Sequence, residues 1–257
     1  MSHGTTATSG KVPARAQPAQ EVRSRGGRRP ARRHRPERLW QRGNGLAEKS
    51  GKEVVDEAGK ALKDAKSVRM KMDTSEEGAF SIDLAMDNEG NCAGVIDQGE
   101  QGKVELVKQG EKVWMKPDQK FWETQAGGPD GAATWELVKG KYLSGTTEDP
   151  MMSGMAGTCD LKAIQEDIGS DDEDAKWSDP KEGEVEGQSV VTVESTKDDE
   201  KTTLHVAAEG TAYPVQSIGD ESGTQSKVTF SEWDKPVADE VPSEEESLDM
   251  AKLQQMG

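Results

Sequence analysis

The sequence predicts an α+β fold dominated by an antiparallel β-meander, and three observations carry that prediction. Short runs of alternating or strand-prone residues recur along the chain, Gly- or Asp-rich turns separate them, and one amphipathic helix precedes them all. The helix is read over 47–65, where Val54, Ala58, Leu62 and Ala65 recur at spacings of four, four and three. The next segment alternates: Phe80, Ile82, Leu84 and Met86 share one face, and Ser81, Asp83, Ala85 and Asp87 share the other. Asp87-Asn-Glu-Gly90 then supplies turn chemistry.

Further strands are predicted at 92–97, 103–108, 112–116, 120–124 and 135–139, and a second set at 185–194, 202–208, 213–218 and 225–230. Between the sets, 141–144 and 160–168 read as helical, the second with Leu161, Ile164 and Ile168 on one face. Near the end, Ser243 and Glu246 form a capping-box pattern, which starts a short helix or sits in a frayed tail. Three regions result: a disordered basic segment 1–45, one domain over 46–236, and an acidic tail over 237–257.

Charge divides the chain in the same way. Residues 1–50 hold 12 Lys+Arg against 3 Asp+Glu, which leaves 21 Lys+Arg and 46 Asp+Glu, a balance of −25, for the rest. A body this acidic repels nucleic acid and anionic membrane surfaces, so no nucleic-acid partner is expected. No run of ~18 apolar residues is present to cross a bilayer as a helix.

The arginine-rich stretch that begins at Arg25 contains almost no apolar residues and cannot build a core. Three readings are open: a disordered tail, a nucleic-acid arm or transit peptide, and a signal peptide translated in a shifted frame. The third rests on codons. Trp is always TGG and Gln is CAA or CAG. Read with the preceding base, Trp40-Gln41-Arg42 becomes Leu, Val or Met, then Ala, then Ala or Thr. The arginine block becomes a stretch of small residues, as in the end of a bacterial lipoprotein signal.

Chemistry-bearing groups are sparse. The histidines are His3, His34 and His205, and only the last lies in the body, so neither a triad nor a histidine metal site is expected. Cys92 and Cys159 are too few for a structural zinc site. In an exported protein they would form a disulfide, closing a loop worth roughly 4 kcal/mol on the chain-entropy model. The bland alternative is two unrelated buried thiols. The acidic run Asp171-Asp-Glu-Asp174 and the run Asp198-Asp-Glu200 lack the Gly and terminal Glu of a calcium loop and read as solvated turns. No cofactor loop or nucleophile elbow appears, so no enzymatic activity and no cofactor are expected. Trp114, Met115, Phe121, Trp122, Trp135 and Trp177 join Met151, Met152 and Met155. They are ordinary core, or they line an adaptable apolar cavity for acyl chains.

Three segments carry a family resemblance: AGKALKDAKSVRM (58–70), read as helix before the alternating strand; NCAGVIDQGEQGKVELVKQGEKVWMKPDQKFW (91–122); and KYLSGTTEDPMMSGMAGTCDL (141–161), which carries the second cysteine. Together they resemble actinobacterial lipoproteins of the LolA-like superfamily, of the LppX/LprAFG type. The resemblance spans about 50–235. It implies a strongly curved antiparallel half-barrel with helices covering its concave face and an apolar cavity between them. It further implies an extracytoplasmic monomer that carries a lipid or glycolipid by its acyl chains. The family is anchored to the membrane by a lipidated N-terminal cysteine; here Arg42-Gly43-Asn44 stands where Cys-Gly-Asn is expected. The expected cavity lining is the apolar face of Phe80, Ile82 and Leu84 together with Leu106, Trp114, Phe121, Met152 and Met155, and a register slip of one residue would reverse each strand's assignment.

Overall fold

The computed structural model describes residues 43–74, 80–167, 175–197, 200–221, 223–237 and 240–252. The basic segment up to residue 42, the Asp171 run and most of the Asp198 run lie outside them. Near the start of the described chain, the Asn44 backbone N–H donates to the Ala208 carbonyl at 2.8 Å and its side chain donates to the Ala207 carbonyl at 2.8 Å.

Helix α1 (Gly51–Asp64) starts where a capping box permits it. Ser50 Oγ accepts from the Glu53 N–H, and Glu53 Oε2 accepts from the Ser50 N–H at 2.8 Å. These bonds to Ser50 hold the Glu53 carboxyl below its usual range. Val54, Ala58 and Leu62 are buried on one stripe, as their spacing predicts.

Among the described residues twelve strands form one sheet: β1 (Ser67–Thr74), β2 (Ser81–Asp87), β3 (Cys92–Asp97), β4 (Lys103–Gln109), β5 (Lys112–Pro117), β6 (Tyr142–Thr146), β7 (Lys181–Val185), β8 (Gln188–Lys197), β9 (Glu200–Ala207), β10 (Pro214–Glu221), β11 (Thr224–Ser231) and β12 (Ser247–Asp249). Their spatial order is β12-β6-β5-β4-β3-β2-β1-β11-β10-β9-β8-β7. Two meanders thus meet where β1 pairs with β11, antiparallel, with Met70 opposite Phe230. The sheet is not closed into a barrel. It is the curved α+β half-barrel that the resemblance implies.

Several elements differ from the sequence reading. Strand β1 is an element the sequence reading lacks: Val68, Met70 and Met72 alternate with Arg69, Lys71 and Asp73, but the first part of the run follows directly on the helical pattern and reads with it up to 70. The strands expected at 120–124 and 135–139 are helical: α2 (Gln119–Trp122), a π-helical segment (Glu123–Gly127) and α3 (Gly128–Val138). Aromatics and Thr favour strands, but Asp118 Oδ1 accepts from the Phe121 N–H at 2.8 Å and caps a helix there. The β3–β4 turn comes up close against this helix at Gly102 (φ 96°), where a Cβ would strike the Phe121 backbone. Conversely, 141–144 is strand β6 rather than helix, because Leu143 pairs with Met115. The run at 185–194 is interrupted by a hairpin turn, with Glu186 at φ 52° and Gly187 at φ 82°. Ser243 and Glu246 do pair, Ser243 Oγ donating to Glu246 Oε2 at 2.7 Å, but they close a turn rather than start a helix or fray. It leads into β12, which adds to β6 in parallel, with Leu248 opposite Leu143.

Helices α4 (Pro150–Gly157) and α5 (Leu161–Asp167) follow β6. The α5 helix is the one read at 160–168, up to Asp167. Its buried Gln165 donates to the Leu62 carbonyl at 2.8 Å and the Ala65 carbonyl at 3.0 Å, tying it to the end of α1. Cys92 on β3 and Cys159 after α4 form a disulfide, with Cα atoms 5.6 Å apart.

Candidate functional site

Cross-strand register assigns every side chain to one face. Starting from Leu84, the same face carries Met70 and Phe230 in one direction, and Gly94, Leu106, Met115 and Leu143 in the other. The next row holds Val228, Met72, Ile82, Ile96 and Val104. This is the concave face, and the helices lie on it. Phe121 and Trp122 of α2, Val138 of α3, and Met152 and Ala156 of α4 join its buried cluster. At the far end, Val54 and Ala58 of α1 pack on Val191, Val193 and Val206.

The cover is uneven. Leu84, Leu106, Met115 and Met152 are fully excluded from solvent. By contrast Met70, Met72, Phe80, Trp135, Met155, Ile164 and Val228 are only partly buried, though packed against the same cluster. The half-buried strip of the sheet falls on β1, the start of β2 and β11, at the junction of the two meanders. Two of its side chains, Met70 and Met72, are unbranched thioethers that repack with little resistance.

The expected lining residues separate on this frame. Ile82, Leu84 and Leu106 lie on the concave face, and Phe121, Met152, Phe80 and Met155 pack into its cluster. Trp114 does not join them. It pairs with Val107 and Ser144, so it stands on the opposite face, while its neighbours Val113 and Met115 point inward. The alternation of β5 is masked in sequence because Val113, Trp114 and Met115 are all apolar. Met70, Met72, Val228 and Phe230 were missed; the alternation within 67–74 was the signal that could have found two of them.

Charge is carried on the other face. Arg69 pairs with Asp83 at 2.8 Å and Lys116 with Glu105 at 3.7 Å. Burial, with the hydrogen bond from its hydroxyl to Glu105, pushes Tyr142 up to about 12. At the disulfide end, a cleft of about 400 Å³ lies between the Asp87–Gly90 turn, Lys108 and α4; the Lys108 ammonium there donates to the Gly90 carbonyl. Among the described residues, no cluster of three His, Cys, Asp or Glu side chains is placed to hold a metal, and no helix is long and apolar enough to cross a membrane.

An open antiparallel half-barrel with helices against an apolar concave face defines a class of fold rather than a reaction. No family profile matches the chain, and no curated protein matches it. Among solved structures it is similar to LprF from Mycobacterium bovis, with 16% identity and a TM-score of 0.52 over 75% of this chain and 97% of that one. It is also similar to the lipoprotein LppX from Mycobacterium tuberculosis (16% identity, TM-score 0.43, 76% and 97% covered). A LolA superfamily protein from Nitrosomonas europaea matches at 12% identity and a TM-score of 0.25, over 76% and 96%. The described chain shares the fold of LprF, an open antiparallel sheet with helices against it, as the motifs at 58–70, 91–122 and 141–161 implied.

Proposed function

We propose that this protein is an extracytoplasmic, non-enzymatic lipid carrier that shelters acyl chains of a lipid or glycolipid between the concave face and its helices. The observation that carries the reading is the half-buried strip of Met70, Met72, Phe80 and Val228 on an apolar face whose centre is fully buried. Each CH₂ moved there from water contributes about 0.8 kcal/mol, so a long chain needs no polar catalytic group to be held. The acidic body and the single disulfide suit an exported, soluble monomer. Attachment to the membrane through a lipidated N-terminus belongs to the same proposal.

A second reading has an observation of its own. Leu84, Leu106, Met115 and Met152 are packed without access to solvent, as in a filled interior. A structural or protein-interaction module of the envelope would have such an interior. Native mass spectrometry of the exported protein, with organic extraction of the same sample, separates the two. A bound mass that extracts as lipid supports the carrier; a bare protein with its disulfide intact supports the module.

A further inference from the structure

Among the described residues, three buried side-chain polar atoms have no hydrogen-bond partner: Gln98 Oε1, Trp122 Nε1 and Ser247 Oγ. Gln98 and Ser247 belong to half-buried residues near the protein surface. Trp122 is different, since it is 7% exposed and belongs to the main apolar cluster. A buried indole N–H ordinarily finds an acceptor, and leaving it without one is unfavourable.

The position of this donor is fixed. Asp118 caps the turn that carries Trp122, and Phe121 meets its ring edge-on at 5.6 Å between centroids. Gly131 of α3 lies so close to the Trp122 carbonyl that a Cβ there would collide with it. The indole is therefore held in a helix packed on the concave face, with its N–H excluded from water. An indole N–H only donates. Its missing partner must supply an acceptor, and the cluster that Trp122 belongs to is built of apolar side chains.

We infer that Trp122 is the polar anchor of the acyl ligand, its N–H donating to the oxygen at the head of the chain. The inference rests on the carrier reading and narrows it. The preferred cargo carries an ester carbonyl or a carboxyl oxygen that enters the apolar layer with the chain, and a plain hydrocarbon does not satisfy the site. Trp122 then determines specificity more than it supports the fold.

The test uses the full chain with ¹⁵N-labelled tryptophan, and the W122F variant assigns the Trp122 indole signal by its loss. Dodecanoic acid, methyl dodecanoate and dodecane are the probes. The expected result is a downfield shift of the Trp122 N–H with the acid, the ester or both, and none with dodecane. A response to the acid alone identifies a carboxyl; a response to the ester identifies a carbonyl. In W122F the oxygenated probes should bind about tenfold more weakly, the scale of one hydrogen bond to a buried donor, with dodecane unaffected. Ligand-free W122F should melt at or above the unsubstituted protein, since it loses an unsatisfied group and keeps an aromatic ring.

Three results would overturn the inference: a Trp122 signal indifferent to ligands that other signals register, an equal loss of dodecane binding in W122F, or a lower melting point for ligand-free W122F. In each case uptake of the probes leaves the carrier reading standing. Uptake of none of them by the unsubstituted protein removes both.

Discussion

Cys92 and Cys159 join a strand of the sheet to the end of a helix 67 residues away. Closing that loop restricts the unfolded chain, so Cys92→Ser should lower stability by about 3–4 kcal/mol in urea unfolding, with no further loss on adding reductant. His205 carries a pH effect. Its Nδ1 lies 2.8 Å from Thr192 Oγ1, and burial lowers its pKa, partly opposed by Glu194. The folded state thus resists a proton that the unfolded chain accepts near 6.5. The associated stability is present above that value and is lost as pH falls through the lower, folded-state pKa. His205→Asn should flatten stability against pH over that window, read from melting points. The chain has two tyrosines, and both are raised to about 12, Tyr213 chiefly through its hydrogen bond to Asp234. Phenol absorbance should therefore show no transition near 10, and Asp234→Asn should bring one of the two back toward it. At this scale the sequence was legible where one face of a strand is polar. Leu84 could be placed from its neighbours, but Trp114 could not, because both faces of β5 are apolar there.

Elements were legible in proportion to how far local signals agreed. Helix α1 and strand β2 have one strong period each, and both were readable. The segment from Gln119 to Val138 combines strand-favouring aromatics with a helix cap, and the cap together with packing on β4 decides the outcome. Strand β12 had no pattern of its own to read. It is three residues long, and its placement depends on a partner edge more than 100 residues away, reached by Lys141 through the Glu245 carbonyl and by Tyr142 N–H through the Glu246 carbonyl. Its loss has a defined consequence. Ending the chain after Pro242 should strip the outer edge of β6 and uncover Leu143. Such an edge invites pairing with a second copy. Light scattering should then show dimers or larger species that the full chain does not form.

At the scale of the molecule, the concave face was foreseeable as an apolar surface, but its two-part construction was not. Alternation assigns residues to faces, whereas strand order depends on pairings between distant segments, and the β1–β11 junction joins Arg69 to Ser231. The first meander and its disulfide lie wholly before β7, and β7 to β11 lie wholly after α5. Among the described residues the halves meet in the sheet along two lines, β1 with β11 and β6 with β12. The order of strands thus makes this a molecule that can be cut. Severed between α5 and β7 and produced as two chains, it should reassemble by mass action, with a midpoint of unfolding that rises with concentration. In the intact chain, the same arrangement should make joining of the halves the slow step of folding, since hairpins close within each half before the distant strands find each other.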